Sequence, residues 1–456
     1  MYDYAQLTET IVRKVDLISL ITPFQAWIYQ LAVNENSPCM EVIMTEPDLT
    51  ALRQQFINTR KLSEDLTGLL THEDHMLQSM PDASPTKWHL AHTSWFFDTF
   101  ILKPRQLSCQ KASYEHLFNS YYNQVGPQYT RAQRGLISRP GLDEVWDFRR
   151  AVEHQLDTVW DTLTPAESAL VELGIHHEQQ HQELIVTDIK HALSYNPEHP
   201  ALIERNYLAP AAPELLWHDF VEGDYEVGCA TGFCFDNEMP RHRVHLGGFR
   251  LASRAVTNGE YLAFIEDQGY QCPAHWLSEG WAWVNSTRAR APLYWQQIDN
   301  QWFTYSLSGF APINLPEPVC HLNYFEANAF ANWSGKRLPT EFEWEVAAAH
   351  ADPRCRGLDL NVLHPRTAVA GEQLQPLQMF GDVWEWTQSA YLPYPEFQVA
   401  QGAVGEYNGK FMVNQWVLRG GSCATPAGHI RASYRNFFPV NANWQFSGVR
   451  LADDLK

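Results

Sequence analysis

The run His177-Glu178-Gln179-Gln180-His181 sets two imidazoles four residues apart. That spacing puts both on one face of a helix, where they can hold one metal ion together. The run formally satisfies the HExxH pattern of zinc proteases, in which the glutamate is the general base. That chemistry needs a third ligand downstream. The glycine-then-histidine extension of one protease class is absent, and Glu198 lies among prolines rather than on a helix. Two exposed histidines on a polar face would also produce this pattern. A second pair, His89 and His92 in Trp88-His89-Leu90-Ala91-His92-Thr93, lies within an otherwise apolar stretch. Where its helix packs beside the first, one of the two joins His177 and His181 in a three-histidine site with open positions. The other then supports a ligand or fills the core. Imidazole suits zinc, copper or iron, so residue type leaves the metal open.

Three further clusters carry polar chemistry. Asn119-Ser120-Tyr121-Tyr122 precedes Arg131 and Arg134, whose planar guanidinium groups suit a carboxylate; a pair of solvated surface arginines would look the same. Gly381-Asp382-Val383-Trp384-Glu385-Trp386 and Arg435-Asn436-Phe437-Phe438 concentrate aromatics with a few polar groups. Most of the 17 tryptophans must pack cores, and a minority lining a pocket would attract a quaternary ammonium through their ring faces.

The elements that must position these groups change character along the chain. From about Glu46 to Tyr195, apolar residues recur every three or four positions and predict four long helices. The first spans roughly Pro47 to Leu77, and the second runs from a Ser84-Pro85 start to Leu102. The third runs from Asp143 to about Leu163, and the fourth from the capping box Thr164 to Glu167 out to about Ser194. Four helices with one long connection, Lys103 to Gly141, predict a four-helix bundle, a fold that builds metal sites from inward-facing side chains. Pro197, Pro200, Pro210 and Pro213 end that regime. Beyond them, strand-like pieces such as Tyr225–Gly228 and Arg243–Phe249 alternate with two short helices. One covers Tyr324 to Trp333 and stops at Gly335, and the other begins at the capping box Thr340 to Glu343. The expected division is an extension over 1–45, a helical domain over 46–196, a linker over 197–213 and a mixed α+β domain over 214–456.

Length supports two domains, since 456 residues exceed what one core usually serves. With 45% apolar and only 19% charged residues, the composition is that of a folded chain. Its 53 acidic against 33 basic side chains give a net charge of −20, which disfavours nucleic acid and anionic membrane surfaces. Eight scattered cysteines without a CxxC pair read as reduced thiols in a cytoplasmic protein. Asp3 and Glu9 stand where a signal peptide needs basic charge, and the stretch from Val15 to Val33 is broken by Asp16, Pro23 and Gln25. Neither export nor membrane insertion is expected.

In combination these segments resemble the ergothioneine-type sulfoxide synthases, or hercynine oxygenases, over nearly the whole chain from about residue 45. The N-terminal part, through Ser84-Pro85 to His92 and the HEQQH run, resembles their DinB-like four-helix bundle. The C-terminal part resembles their formylglycine-generating-enzyme, or sulfatase-modifying-factor, domain of C-type-lectin type. The motifs carrying that likeness are Val256–Tyr261, Gly335–Glu341, the GDVWEW run, Leu418–Ser422 and Ser447–Leu451.

The resemblance implies an oxidoreductase with ferrous iron, Fe(2+), held by His92, His177 and His181. Its dioxygen-dependent reaction joins a thiol sulfur to the imidazole of hercynine, the trimethylated histidine, and oxidises that sulfur to a sulfoxide. Three protein ligands leave three octahedral positions for imidazole, thiolate and dioxygen. The resemblance also implies that Arg131 and Arg134 pair with the thiol's carboxylate and that Tyr121 or Tyr122 supplies a proton or electron. Gln180 would contact the imidazole substrate, with Asn436 and Phe437 opposite it; Tyr391 and Tyr394 match, more loosely, a tyrosine that the second domain contributes in another branch. Members that use γ-glutamylcysteine carry an acidic residue and an arginine where this chain has Phe438 and Asn441-Ala442-Asn443. Free cysteine is therefore the expected donor, while a selenoneine-type reaction on a selenosugar stays open. Cys423 stands alone where true formylglycine-generating enzymes have a copper-binding pair, so that activity is not expected. The chain is too short for the methyltransferase that ovothiol synthases append.

Overall fold

The computed structural model describes residues 48–204, 210–351, 354–369, 375–400 and 402–455. The expected extension over 1–45 and the proposed helix start at Pro47 lie outside them. Four long helices come first: α1 (Leu49–Thr67), α2 (Thr86–Phe97), α4 (Leu142–Val159) and α5 (Pro165–Leu193), with the short α3 (Tyr114–Leu117) in the long connection. The periodic apolar pattern found all four, and the differences lie at their ends. Helix α1 closes at Gly68 instead of continuing to Leu77, with a separate 3-10 turn over Asp74–Met76. At α2 the cap is Pro85, which has no side-chain bond to offer. Ser84, the expected cap, serves tertiary structure: its N–H donates to Asp188 and its hydroxyl accepts from Arg134. At the other end α2 widens into a π-turn over Asp98–Leu102, a form that often marks functional sites. Helix α5 begins as the capping box requires, with Thr164 accepting from the Glu167 N–H.

Every residue of α2 is buried. It packs against α4 and α5, and α5 packs in turn against α1. Gly174 allows the close approach of α5 to α2, since a Cβ there would sit 2.4 Å from Phe97 Cε1.

The remainder is built from small sheets. Strands β1 (Trp217–Phe220), β4 (Phe249–Ala252) and β12 (Ala452–Asp454) pair in the order β1-β4-β12, so the last strand of the sheet-rich part joins the same sheet as its first. Strands β2 (Gly223–Val227) and β3 (His242–Leu246) form an antiparallel pair, and β5 (Trp295–Ile298), β6 (Gln301–Ser306) and β7 (Gly309–Pro312) form a meander. The central sheet has the order β10-β9-β8-β11, from β8 (Trp384–Ala390), β9 (Trp416–Arg419), β10 (Asn436–Phe438) and β11 (Ser447–Gly448). Four helices accompany the sheets: α6 (Asn258–Glu266) and α7 (Ser278–Thr287) pack against α8 (Tyr324–Trp333), and α9 (Glu341–Ala348) packs against β2, β4, β8 and β9. The last two lie where their capping and Gly335 signals place them, Gly335 having φ +67°. The first two are additional to the expected pair.

The C-terminal half of α5 is shared. Ile185, Val186, Ile189 and Leu193 enter a core with Tyr294, Tyr305, Val383 and Phe446 of the sheet-rich part. Two residues beyond His181, buried Glu183 accepts from Trp384 Nε1 at 2.5 Å, Thr425 Oγ1 at 2.7 Å and Ser422 Oγ at 3.0 Å. The helix that carries two candidate ligands is thus fixed from both sides.

Candidate metal centre and its walls

His92 on α2 and His177 and His181 on α5 converge, each offering a ring nitrogen within 4.8 Å of the others. Their orientation follows from what their other nitrogens do. His92 Nδ1 lies 2.5 Å from the Phe118 carbonyl and must donate to it, which leaves Nε2 bare; that Nε2 faces His177 Nε2 at 3.1 Å. His181 Nδ1 lies 2.7 Å from His89 Nδ1, so its Nε2 is also left toward the centre. The Nδ1 of His177 is buried without a partner among the described residues. Burial, together with the neighbouring rings, holds the pKa of His92 and of His181 well below the usual value; burial lowers that of His177 to about 4. All three are therefore neutral near pH 7, the form in which imidazole ligates a metal.

The choice left open between His89 and His92 resolves geometrically: His92 enters the cluster, and His89 stands behind His181. Asp188 in turn stands behind His89, with Oδ2 at 3.2 Å from Nε2. The spacing held a signal for this, since Asp188 follows His181 by two helical turns and shares its face.

Glu178 points away from the three histidines. Its carboxylate accepts from Arg149 Nη2 and Ser63 Oγ, both at 2.6 Å, and from Arg60 Nη1 at 2.8 Å. Burial alone would raise its pKa, but Arg149, Arg60 and Ser63 hold it down at about 2. A carboxylate that engaged and that weakly basic cannot take a proton from a bound water. The protease reading of the five-residue pattern loses its general base here.

The two arginines lie close to the cluster. Arg134 is buried, donates to Ser84 Oγ and Ser120 Oγ at 3.0 Å, and lies 3.4 Å from the centroid of the Trp88 ring. That same indole stacks on His92 at 4.5 Å. Burial brings the Arg134 guanidinium down to about 9, partly opposed by Tyr121. Arg131 is anchored by donation to the Asp82 carbonyl. The Nε–H of each arginine is buried without a partner among the described residues, leaving donors for an anion.

The two tyrosines separate. Tyr122 is in the helical core, packed on Trp95 at 5.7 Å and Phe100 at 5.2 Å, while Trp95 also stacks on His92. Burial raises the Tyr122 pKa, so its phenol keeps its proton at Oη. Tyr121 packs against two rings of the sheet-rich part, Tyr407 and Phe411, each at 5.5 Å. Those rings sit in the long excursion between β8 and β9. Glu406 clamps it to the helical part by accepting from the Asn123 N–H at 3.1 Å and the Gln124 N–H at 2.9 Å. No local pattern in the sequence announced this clamp.

Gln180 reaches across the seam, with Nε2 donating to Tyr434 Oη at 2.9 Å; no motif in the sequence marks Tyr434. Phe437 stacks on Tyr391 at 4.1 Å and lies 5.7 Å from Phe411, which connects it to Tyr121. Asn436 Oδ1 accepts from the Phe437 N–H. Tyr391 accepts from Asn237, and Tyr394 is bonded to Arg419 and lies under Arg435, so both belong to the polar interior of the sheet-rich part. The GDVWEW run is structural too. Trp384 and Trp386 are fully buried with their N–H groups on Glu183 and the Leu322 carbonyl, and Glu385 pairs with Arg450. It packs the core and the seam rather than opening a pocket for a quaternary ammonium.

Residues 219–357 and 358–455 match the sulfatase-modifying factor enzyme 1-like domain. Over 447 residues the chain is 30% identical to the hercynine oxygenase of Mycolicibacterium thermoresistibile, covering 90% of this chain and 96% of that one. The chain belongs to the hercynine oxygenase family. The hercynine oxygenase of Mycobacterium tuberculosis is likewise 30% identical over 449 residues, 90% of this chain and the whole of the other. The formylglycine-generating enzyme of Streptomyces coelicolor is 28% identical over 241 residues, 44% of this chain and 76% of that enzyme. As a hercynine oxygenase family member the chain is an oxygenase, with a helical N-terminal region and a sulfatase-modifying-factor domain. No helix among the described residues is long and apolar enough to cross a membrane.

Proposed function

We propose that this protein is a non-haem iron sulfoxide synthase of ergothioneine biosynthesis that joins hercynine to a thiol, with free cysteine as the donor. The observation that carries the reading is the convergence of His92, His177 and His181 as neutral imidazoles at the seam between the two parts. In the net reaction the imidazole C–H and the thiol S–H are lost, a C–S bond forms, one oxygen atom of dioxygen ends on sulfur and the other leaves as water. Ferrous iron held by the three histidines would supply dioxygen activation and open positions for both substrates.

The protein's own groups do the rest. The free donors of Arg131 and Arg134 hold the cysteine carboxylate and so orient its sulfur. Gln180, fixed by Tyr434, contacts the imidazole of hercynine, with Asn436 and Phe437 on the facing wall. Tyr122 holds its phenolic proton at Oη within the helical core, and Tyr121 lies against Tyr407 and Phe411 of the sheet-rich part; one of them delivers a proton or an electron. Phe438 and Asn441 to Asn443 offer no charge to a γ-glutamyl end, which favours free cysteine. The zinc-hydrolase alternative lacks a base, since Glu178 is held by two arginines.

The test is aerobic incubation of the iron-loaded protein with hercynine and cysteine, γ-glutamylcysteine or a selenosugar, followed by mass spectrometry. A hercynine–cysteine sulfoxide supports the reading, and a selenium adduct in its place moves it to the selenoneine type. No adduct from protein that holds iron would sink it.

A further inference from the structure

We infer that Asp188 and His89 form a relay that fixes the proton of His181 on Nδ1 and so keeps His181 Nε2 free for the metal. The inference rests on the reading of the three histidines as ligands. His89 Nδ1 and His181 Nδ1 are 2.7 Å apart, a contact that holds one proton, on one ring or the other. The far end decides which. His89 Nε2 lies 3.2 Å from Asp188 Oδ2, and the same oxygen accepts from the Ser84 N–H at 2.8 Å. A carboxylate oxygen already accepting one bond is an acceptor for the second, so the His89 proton sits on Nε2. His89 Nδ1 is then the acceptor, the shared proton belongs to His181 Nδ1, and the lone pair of His181 is at Nε2.

Reversing either end reverses the result. If His89 carried its proton on Nδ1, His181 would have to accept there and carry its own proton on Nε2, which closes that atom to a metal. Asp188, His89 and His181 are all buried, so no bulk water competes for these bonds. Two of the three ligands are thus oriented from outside by different devices, His92 by the Phe118 carbonyl and His181 by the relay. His89 and Asp188 act through His181 and are positioning residues. Partners of this kind typically change metal affinity by about 10–100-fold when removed.

The experiment reads the tautomer and the affinity separately. Nitrogen-15 NMR of the metal-free protein should find His181 protonated at Nδ1, and chelator competition should report Fe(2+) or Co(2+) affinity under anaerobic conditions. His89→Leu and Asp188→Leu should each weaken the metal about 10–100-fold. The pair together should be no weaker than His89→Leu alone, because both break one chain. Asp188→Asn is the conservative control: its amide carbonyl can take the place of Oδ2 and keep the tautomer and most of the affinity. A wild-type tautomer in Asp188→Leu, or an Asp188→Asn protein as impaired as Asp188→Leu, overturns the relay, the second result assigning the effect to charge. A correct tautomer in wild-type protein that binds neither metal would leave the relay standing and remove the metal reading.

Discussion

Removing the Glu178 carboxylate should destabilise the helical region rather than disable a hydrolysis step. Glu178 is 1% exposed and its partners Arg149 and Arg60 are 2% and 5% exposed, so all three charges are out of water. In Glu178→Ala, Arg149 keeps the Arg60 carbonyl at 3.0 Å and Arg60 keeps Glu153 at 2.7 Å. Two buried guanidinium groups are then left with the single, partly exposed Glu153. Stripping one partner from a buried ion pair costs about 3–5 kcal/mol. At about 2–4 °C per kcal/mol for a region of this size, the melting temperature should fall by about 6–20 °C. Circular dichroism melts of metal-free protein measure this without a contribution from metal affinity. Glu178→Gln keeps the volume but not the charge and should fall in the same direction. Replacing Glu178 and Arg149 together by leucine and methionine should recover much of the loss, since an apolar pair carries no desolvation cost. A Glu178→Ala protein that melts with the wild type would refute the argument.

Lys190 offers a pH test. It donates to His321 Nε2 at 2.6 Å between the rings of Tyr294 and Phe446, and burial lowers its pKa from 10.5 to about 8. Between those values the unfolded chain binds the extra proton, so stability rises with pH; the penalty of about 3 kcal/mol is fully present below about pH 8 and gone above about 10.5. Lys190→Met should therefore be more stable than wild type at pH 7, with the gap narrowing toward pH 10, and a pH-independent gap in urea titrations counts against it. Gly174→Ala should destabilise despite a helix-propensity gain of about 1 kcal/mol, because the added Cβ meets Phe97 at 2.4 Å and overpacking costs about 1–3 kcal/mol; an increase in the urea midpoint would contradict this. Turnover should be faster with cysteine than with γ-glutamylcysteine, and a clear preference for the latter would overturn the assignment of free cysteine as the donor.

What could be read in the sequence was local or periodic. The capping boxes at Thr164 and Thr340 sit where they were expected because each closes on residues three positions away. Helical spacing puts His177 and His181 on one face of α5, and they do converge with His92 as a candidate ligand set. Helix ends were harder: Ser84 looks like a cap, yet tertiary bonds to Asp188 and Arg134 outcompete that role. The walls of the site were least legible. Tyr434 meets Gln180 across 254 positions, and Glu406 meets the Asn123 and Gln124 amides across about as many, contacts no short pattern encodes. The aromatic GDVWEW run suggested a pocket lining, but its indole N–H groups found buried acceptors and became packing instead.

The carboxylate of Glu183 bears on how such a chain can be altered. It stands about 3 Å along the helix axis from His181, at 1.5 Å per residue, and its three donors all come from the sheet-rich part. The second domain is thereby gauged to the histidines by a rigid spacer shorter than one helical turn. A graft that exchanged the sheet-rich part without matching Trp384, Ser422 and Thr425 would leave an orphaned acid beside the histidines. Recombination between relatives should succeed only where acid and donors travel as one unit.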